Sequence, residues 1–265
     1  MIVVKAGGRI LEENMARILD SVGLRKGRGV VFVHGGGDIV SRYERALGIE
    51  PKIVMSPSGI RSRLTDEREL EVYNMVMAGK LGKEMSAYLN HRGFHAVSLS
   101  GVDGRLLQAS RKKRIVVVDE RGRKRMIDGG YTGTITAVNT DLINSLLHAG
   151  YIVIVSPVAI GDEGEMLNVD GDSAASAIAG ALKAEELILL TDVEGVMLDG
   201  GLVRRLTVGD AYQLLERIGP GMNRKVMVAA KAVEAGVGAA YICSGGGEDP
   251  LGNVERGQAT LISAL

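Results

Sequence analysis

The chain has no tryptophan, two phenylalanines and a single cysteine among its 265 residues. Aromatics make up 3% of the composition, too few for the stacking platforms that grip single-stranded nucleic acid. One cysteine, Cys243, excludes an internal disulfide framework or a zinc ribbon. It lies in the apolar run Ala240-Tyr241-Ile242-Cys243 and reads as a small buried hydrophobe. The four histidines, His34, His91, His95 and His148, show no grouping with carboxylates or cysteine that would hold a metal. There is no excess of charge: Lys+Arg and Asp+Glu both number 32, so nothing global favours DNA or a membrane surface. An apolar run of about 18 residues is lacking, so no membrane span is expected. Met1–Lys5 enters directly into a β-branched run without the parts of a secretion signal. A soluble, cytoplasmic protein is the expectation.

What is present is apolar patterning. Hydrophobic residues make up 46%, enough for a sizeable core, and the length suits one large α/β domain over residues 1–265. Short β-branched runs at Ile2–Ala6, Val30–Val33, Ala96–Leu99, Ile152–Val155, Leu187–Leu190 and Ala240–Ile242 predict strands. Their continuous apolarity fits strands covered on both faces. Amphipathic stretches at Glu12–Val22, Asp66–Leu89, Asp141–His148, Ser173–Leu182 and Asn223–Ala235 predict helices between them. Strands alternating with helices imply a mainly parallel sheet in a three-layer α/β/α sandwich. One segment breaks the rhythm: Arg114–Asp119 and Lys124–Asp128 flank a Glu-Arg-Gly-Arg turn and predict an inserted β-hairpin.

Two common phosphate-binding patterns are missing. Gly79-Lys80 and Gly82-Lys83 are followed by Leu81 and Glu84, so there is no GxxxxGK[ST] loop. In Gly35-Gly36-Gly37-Asp38-Ile39-Val40 the third glycine of a dinucleotide fingerprint would be Val40. Instead, glycine turns stand at strand ends. Lys5-Ala6-Gly7-Gly8 sets a lysine beside two glycines, whose bare backbone can approach an anion. His34-Gly35-Gly36-Gly37 closes a second strand before a helix, whose N-terminus favours anions. Each also fits a plain strand-to-helix turn. In Asn168-Val169-Asp170-Gly171-Asp172-Ser173, Asp172 or Ser173 is a plausible helix cap, or a polar group aimed into a cleft. Lys225 falls near a helix start, where the dipole disfavours a cation, and so points to an external anionic partner.

Taken together and in this order, Lys-x-Gly-Gly, His-Gly-Gly-Gly, Gly59-Ile60-Arg61, Asn168-x-Asp170-x-Asp172, Leu190-Thr191-Asp192-Val193-x-Gly195 and Gly221-Met222-x-x-Lys225 resemble the amino acid kinase family from residue 2 to about residue 243. The nearest branch is similar to N-acetylglutamate kinase. Gly59–Asp66, Leu99–Gly104, Arg111–Arg114 and Gly129–Gly133 further resemble kinases acting on α-aminoadipate or glutamate borne on LysW, an acidic amino-group carrier protein of lysine and arginine biosynthesis. The pair Ser62-Arg63 after Arg61, and Asp170 in place of a second asparagine, depart from the N-acetylglutamate pattern near the substrate pocket.

The resemblance implies an ATP-dependent phosphotransferase with a carboxylate acceptor. Lys5, Lys225 and Asp172 would be catalytic, with Asp172 orienting both lysines. Gly36, Gly37, Arg61, Arg63 and Asn168 would hold the acyl substrate. Gly7, Gly8, Thr191, Asp192 and Met222 would bind the nucleotide, with Mg2+ carried mainly by ATP and no protein metal cage. Residues 1–168 would form the acyl-substrate lobe and 169–265 the ATP lobe. The cations of residues 111–125 predict a dock for the acidic carrier. No helix precedes the first strand, which in this branch implies a plain homodimer. Free N-acetylglutamate is the alternative substrate. A non-catalytic nucleotide-binding regulator is the alternative of another class, and it would not need Lys5, Lys225 and Asp172 together.

Overall fold

A computed structural model describes residues 1–57, 59, 61–219 and 221–264. Ile60 of the Gly-Ile-Arg motif, Ser58, Pro220 of the turn before the last long helix, and Leu265 lie outside the described residues.

The central sheet has eight strands: β1 (Ile2–Ala6), β2 (Val30–His34), β3 (Ala96–Ser100), β4 (Ile152–Ser156), β5 (Glu186–Thr191), β6 (Arg205–Thr207), β7 (Ala239–Ser244) and β8 (Ala259–Ser263). Their order is β6-β8-β7-β5-β1-β2-β4-β3. Every neighbouring pair is parallel except β7–β8. All six predicted strands are present. The longer helices are α1 (Gly8–Leu24), α2 (Gly37–Ala46), α3 (Glu67–Asn74), α4 (Gly82–His91), α5 (Asp141–His148), α6 (Gly171–Leu182), α7 (Val208–Leu214) and α8 (Met222–Glu234). The stretch predicted as one helix from Asp66 to Leu89 is α3 and α4 joined by a π-helical turn, Met75–Leu81.

Alternation along β1 explains the two cores and, with them, the site. Ile2, Val4 and Ala6 pack with Phe32, Ile154 and Ile188 on one face, under α1 and α4. Val3 packs with Val31, Val153 and Leu189 on the other, under α6 and α8. Successive side chains of a strand point to opposite faces. Lys5 therefore shares the face of Val3 and is aimed at the α6–α8 layer, while His34 shares the face of Phe32. Cys243 is fully buried in the Ile2 core, and burial pushes its thiol up to about 12.

Smaller ribbons surround the strand ends. Ile53–Met55 and Arg61–Arg63 pair antiparallel as one hairpin. The predicted inserted hairpin is Arg114–Val118 against Lys124–Asp128. A second, four-stranded sheet joins Met166–Asn168, Val158–Gly161, Leu107–Arg111 and Gly133–Val138. No helix among the described residues is long and apolar enough to cross a membrane.

Candidate active site

The glycine turns after β1 and β2 lie against each other. A Cβ on Gly8 would stand 2.8 Å from Gly36 Cα, so only glycine lets the two turns close to this distance. The Gly35 N–H also donates to the Ala6 carbonyl at 2.8 Å. Helices α1 and α2 start from these turns with Gly7 and Gly36 at their cap positions and no side-chain cap, so their first N–H groups stay available. Helix α8 likewise starts uncapped from Gly221, whose φ of 92° favours glycine.

Beneath the turns, three charges form one cluster. Lys5 Nζ stands 2.7 Å from Asp172 Oδ1, and Lys225 Nζ stands 3.0 Å from Asp172 Oδ2. All three side chains are at most 16% exposed. Burial would raise the Asp172 carboxyl, but the two ammonium groups more than offset it and hold it well below the usual carboxylate range. Burial first, then Lys5, lowers Lys225, with Asp172 opposing. The anionic partner of Lys225 is thus Asp172, within the chain, and not the external anion that its place at the helix start suggested.

The cap of α6 is Asp170, not Asp172 or Ser173: its side chain accepts the Ser173 N–H at 2.8 Å. A cap residue turns its oxygen back onto the first turn. Asp172, two residues further on, is left to face the lysines.

Two cavities meet at this cluster. One, of about 290 Å3, is lined by Lys5, Gly8, Gly36, Gly37, Arg61, Arg63, Lys112, Asn168, Asp170 and Arg224 among others. The second, of about 630 Å3, is lined by Asp172, Thr191, Asp192, Met222, Arg224 and Lys225 among others. Every predicted substrate residue lies on the first. Of the predicted nucleotide residues, Thr191, Asp192 and Met222 lie on the second, Gly8 lies on the first, and Gly7 stands between Lys5 and the start of α1.

Arg61 and Arg63 do not act as a free pair. Arg63 is drawn inward: it donates to buried Glu44, to the Gly37 carbonyl at 2.9 Å and to Ser41 Oγ at 2.5 Å. It is a strut that fixes the hairpin over α2. Arg61 is exposed and makes no ion pair among the described residues. Asn168 donates through Nδ2 to buried Thr65 Oγ1 at 2.9 Å, which fixes its side chain at the cavity wall.

Sequence reading passed over three residues. Arg224 lines both cavities and pairs with Asp170 at 3.0 Å. Its place beside Lys225 in the same helical turn was the available signal. His34 is fully buried; its Nδ1–H donates to the Gly35 carbonyl at 3.1 Å and its Nε2 lies 2.7 Å from Ser156 Oγ. Burial, with Lys5 adding to it against the Gly35 hydrogen bond, pushes this imidazole down to about 4. It is neutral at pH 7 and braces the turn. Ser156, which also lies 3.1 Å from the Met77 carbonyl, ties β4 to the π-helical turn.

On the hairpin, Arg125 pairs with Asp119 at 2.9 Å and Lys113 with Glu163 at 3.1 Å. Arg111 lies over the Tyr131 ring at 4.1 Å. Lys112, Arg114, Arg121, Arg123 and Lys124 are exposed and make no ion pair among the described residues. Lys112 also reaches the smaller cavity, so the basic rim is continuous with it.

A carboxylate clamped between two lysines, under glycine turns and between two cavities, suits phosphoryl transfer, which calls for fixed cations near anions rather than a general base. The amino acid kinase family model matches residues 1–244, and the chain belongs to that family. It is a phosphotransferase. Over 263 residues it is 49% identical to a protein of Sulfolobus acidocaldarius named [LysW]-aminoadipate/[LysW]-glutamate kinase, covering 99% of this chain and 100% of that one. A protein of the same name from Saccharolobus solfataricus is 49% identical over 264 residues, 99% of each chain. The solved structure of smu.665 from Streptococcus mutans superposes with a TM-score of 0.80 at 27% identity, covering 100% of this chain and 98% of that one.

Proposed function

We propose that this chain transfers the γ-phosphoryl group of ATP to the side-chain carboxylate of α-aminoadipate or glutamate carried on LysW, giving an acyl phosphate in lysine and arginine biosynthesis. The observation that carries the reading is the Lys5–Asp172–Lys225 clamp where the two cavities meet. The attacking carboxylate is ionised at neutral pH, its reference pKa being about 4, so no proton need be removed. Its oxygen bonds to the γ-phosphorus as the bond to the β-phosphate oxygen breaks, and ADP leaves with that electron pair. The obstacle is anion meeting anion, and fixed cations lower it.

Lys5, on the smaller cavity, stabilises the phosphoryl group in flight. Lys225, on the larger, neutralises the leaving side. Asp172 keeps both ammonium groups in place. Gly7 and Gly8 offer N–H groups to the phosphates. Gly36, Gly37, Arg61 and Asn168 hold the acyl group, with Arg61 forking onto a carboxylate and Arg63 fixing the hairpin that carries it. Thr191, Asp192 and Met222 line the nucleotide cavity. Residues 1–168 serve as the acyl lobe and 169–265 as the ATP lobe.

The nearby carboxylates are already engaged: Asp170 with Arg224, Asp172 with two lysines, Asp192 with Arg9. That suits Mg2+ held by ATP oxygens and water rather than by the protein. When bound with the nucleotide it supplies further charge neutralisation. The exposed cations of residues 111–125 form the dock for the acidic carrier, whose charge they complement. The protein works in the cytoplasm as a homodimer.

Trapping with hydroxylamine tests this reading. LysW-linked glutamate or aminoadipate with ATP and Mg2+ should yield a hydroxamate. A hydroxamate from free N-acetyl-L-glutamate and none from the linked substrates would overturn the carrier assignment.

A further inference from the structure

Lys5 faces the smaller cavity and Lys225 the larger, each through its own bond to Asp172. Asp170 and Arg224 differ from both. Among the described residues they are the only two that line both cavities, and they are bonded to each other across the partition. We propose that Arg224, held by Asp170, is a positioning residue that links the two cavities, so that the nucleotide and the acyl substrate bind cooperatively through it. This rests on the phosphotransfer reading given above.

The local geometry supports a fixed arm rather than a loose surface pair. Asp170 Oδ1 accepts the Ser173 N–H and the Ser173 hydroxyl, both at 2.8 Å, so the helix cap immobilises it. Arg224 pairs with the same oxygen through Nη2 at 3.0 Å, and its side chain is 26% exposed. A guanidinium carries five N–H donors, more than one carboxylate can take up, so donors remain for ligands on either side. Arg224 also precedes Lys225 in the first turn of α8, so the two cations are set by one helix start.

The consequence is energetic linkage. Both ligands bring anions to the same partition, a phosphate on one side and a carboxylate on the other. Alone, each would repel the other's arrival. A cation facing both offsets that repulsion in each order of binding, and the effect must be reciprocal.

Calorimetry reads this directly. AMP-PNP with Mg2+ serves as the nucleotide probe and LysW-linked glutamate as the acyl probe. Each is titrated alone and with the other saturating, which gives a coupling factor. In Arg224→Gln and in Asp170→Asn the factor should fall by about fivefold or more. Asn caps a helix about as well as Asp, so Asp170→Asn isolates the ion pair from the cap. Arg224→Lys, which keeps a cation, should retain part of the coupling. The double variant should lose no more than the larger single loss, because both act through one contact. A merely structural pair would lower the melting temperature and weaken both ligands alike while leaving the factor unchanged. That result, or a wild-type chain that binds both probes independently, overturns the proposal. A wild-type chain that binds neither overturns the phosphotransfer reading and this inference together.

Discussion

Replacing Asp172 by asparagine removes one charge and almost no volume. At an effective dielectric of about 20, two unit charges at the 2.7 Å of the Lys5–Asp172 contact attract by about 6 kcal/mol, much of it offset by desolvation. What remains in Asp172→Asn is a pair of ammonium groups facing a neutral amide in a buried site. The least costly relief is loss of the Lys225 proton, since burial and Lys5 already lower its pKa. One transition-state cation is then neutral for part of the time and the other is misplaced. The expected fall in kcat is about 10²–10³, the scale of losing one preorganised charge contact. The alkaline limb of the kcat–pH profile should also move to lower pH, because Lys225 gives up its proton more readily. Loss of a cap cannot explain either effect, for Asp170 provides the cap. Steady-state rates from pH 6 to 10, with circular dichroism to confirm the fold, are the assay. A kcat within about threefold of wild type, on an unshifted profile, would refute the clamp.

Three further outcomes are expected. Lys5→Ala should lower kcat by about 10²–10³ with nucleotide affinity little changed, since Lys5 lines the acyl cavity; single-turnover rates and AMP-PNP titration check this. Arg61→Lys should raise KM for the acyl substrate by loss of the bidentate fork, while Arg63→Lys should mainly lower the melting temperature by loosening the strut on Glu44. His34 carries a pKa of about 4 against an unfolded 6.5, so the unfolded chain takes up its proton first on acidification. The stability it contributes, about 3 kcal/mol, is full above pH 6.5 and lost as pH falls through about 4. Melting curves of His34→Gln should therefore depend less on pH across that window than those of wild type.

The buried strands were legible because apolar runs such as Ile2–Val4 and Val30–Val33 have no polar face to show. The same runs made Lys5 conspicuous. Alternation from Val3 then fixes the face to which Lys5 points, although only the fold shows that α6 and α8 lie there. The glycine turn after β2 announced the start of α2 but not its extent, because Asp38, Arg42, Glu44 and Arg45 dilute its two buried apolar residues, Ile39 and Val40, and because Glu44 is buried against an arginine distant in sequence. The π-helical turn at Met75–Leu81 has no composition of its own, and its packing, with Met77 and Leu81 close against Gly36, is visible only in the fold. The cap of α6 was misplaced because Asp170, Asp172 and Ser173 all have capping side chains, and sequence alone cannot choose among them. Arg224 was passed over for a similar reason: its partner Asp170 is far along the chain, and nothing local marks the pair. The strand Gly133–Val138 carries an extra residue, Thr136, where its register against Gln108 and Ala109 shifts, which breaks the period that would announce it.

The central claim is that a carboxylate presented on an acidic carrier is the acceptor, and one comparison tests it most directly. It is kcat/KM for LysW-linked glutamate against free N-acetyl-L-glutamate, each across a range of salt, in the wild type and in Lys112→Glu/Lys113→Glu. Docking by the exposed hairpin cations predicts a preference for the linked substrate. That preference should fall steeply with salt, which screens over about 8 Å at physiological ionic strength, and fall again with the charge reversal. Turnover of the free substrate should be much less sensitive to both. Linked-substrate turnover that ignores salt and charge reversal, alongside efficient use of free N-acetyl-L-glutamate, would contradict the account.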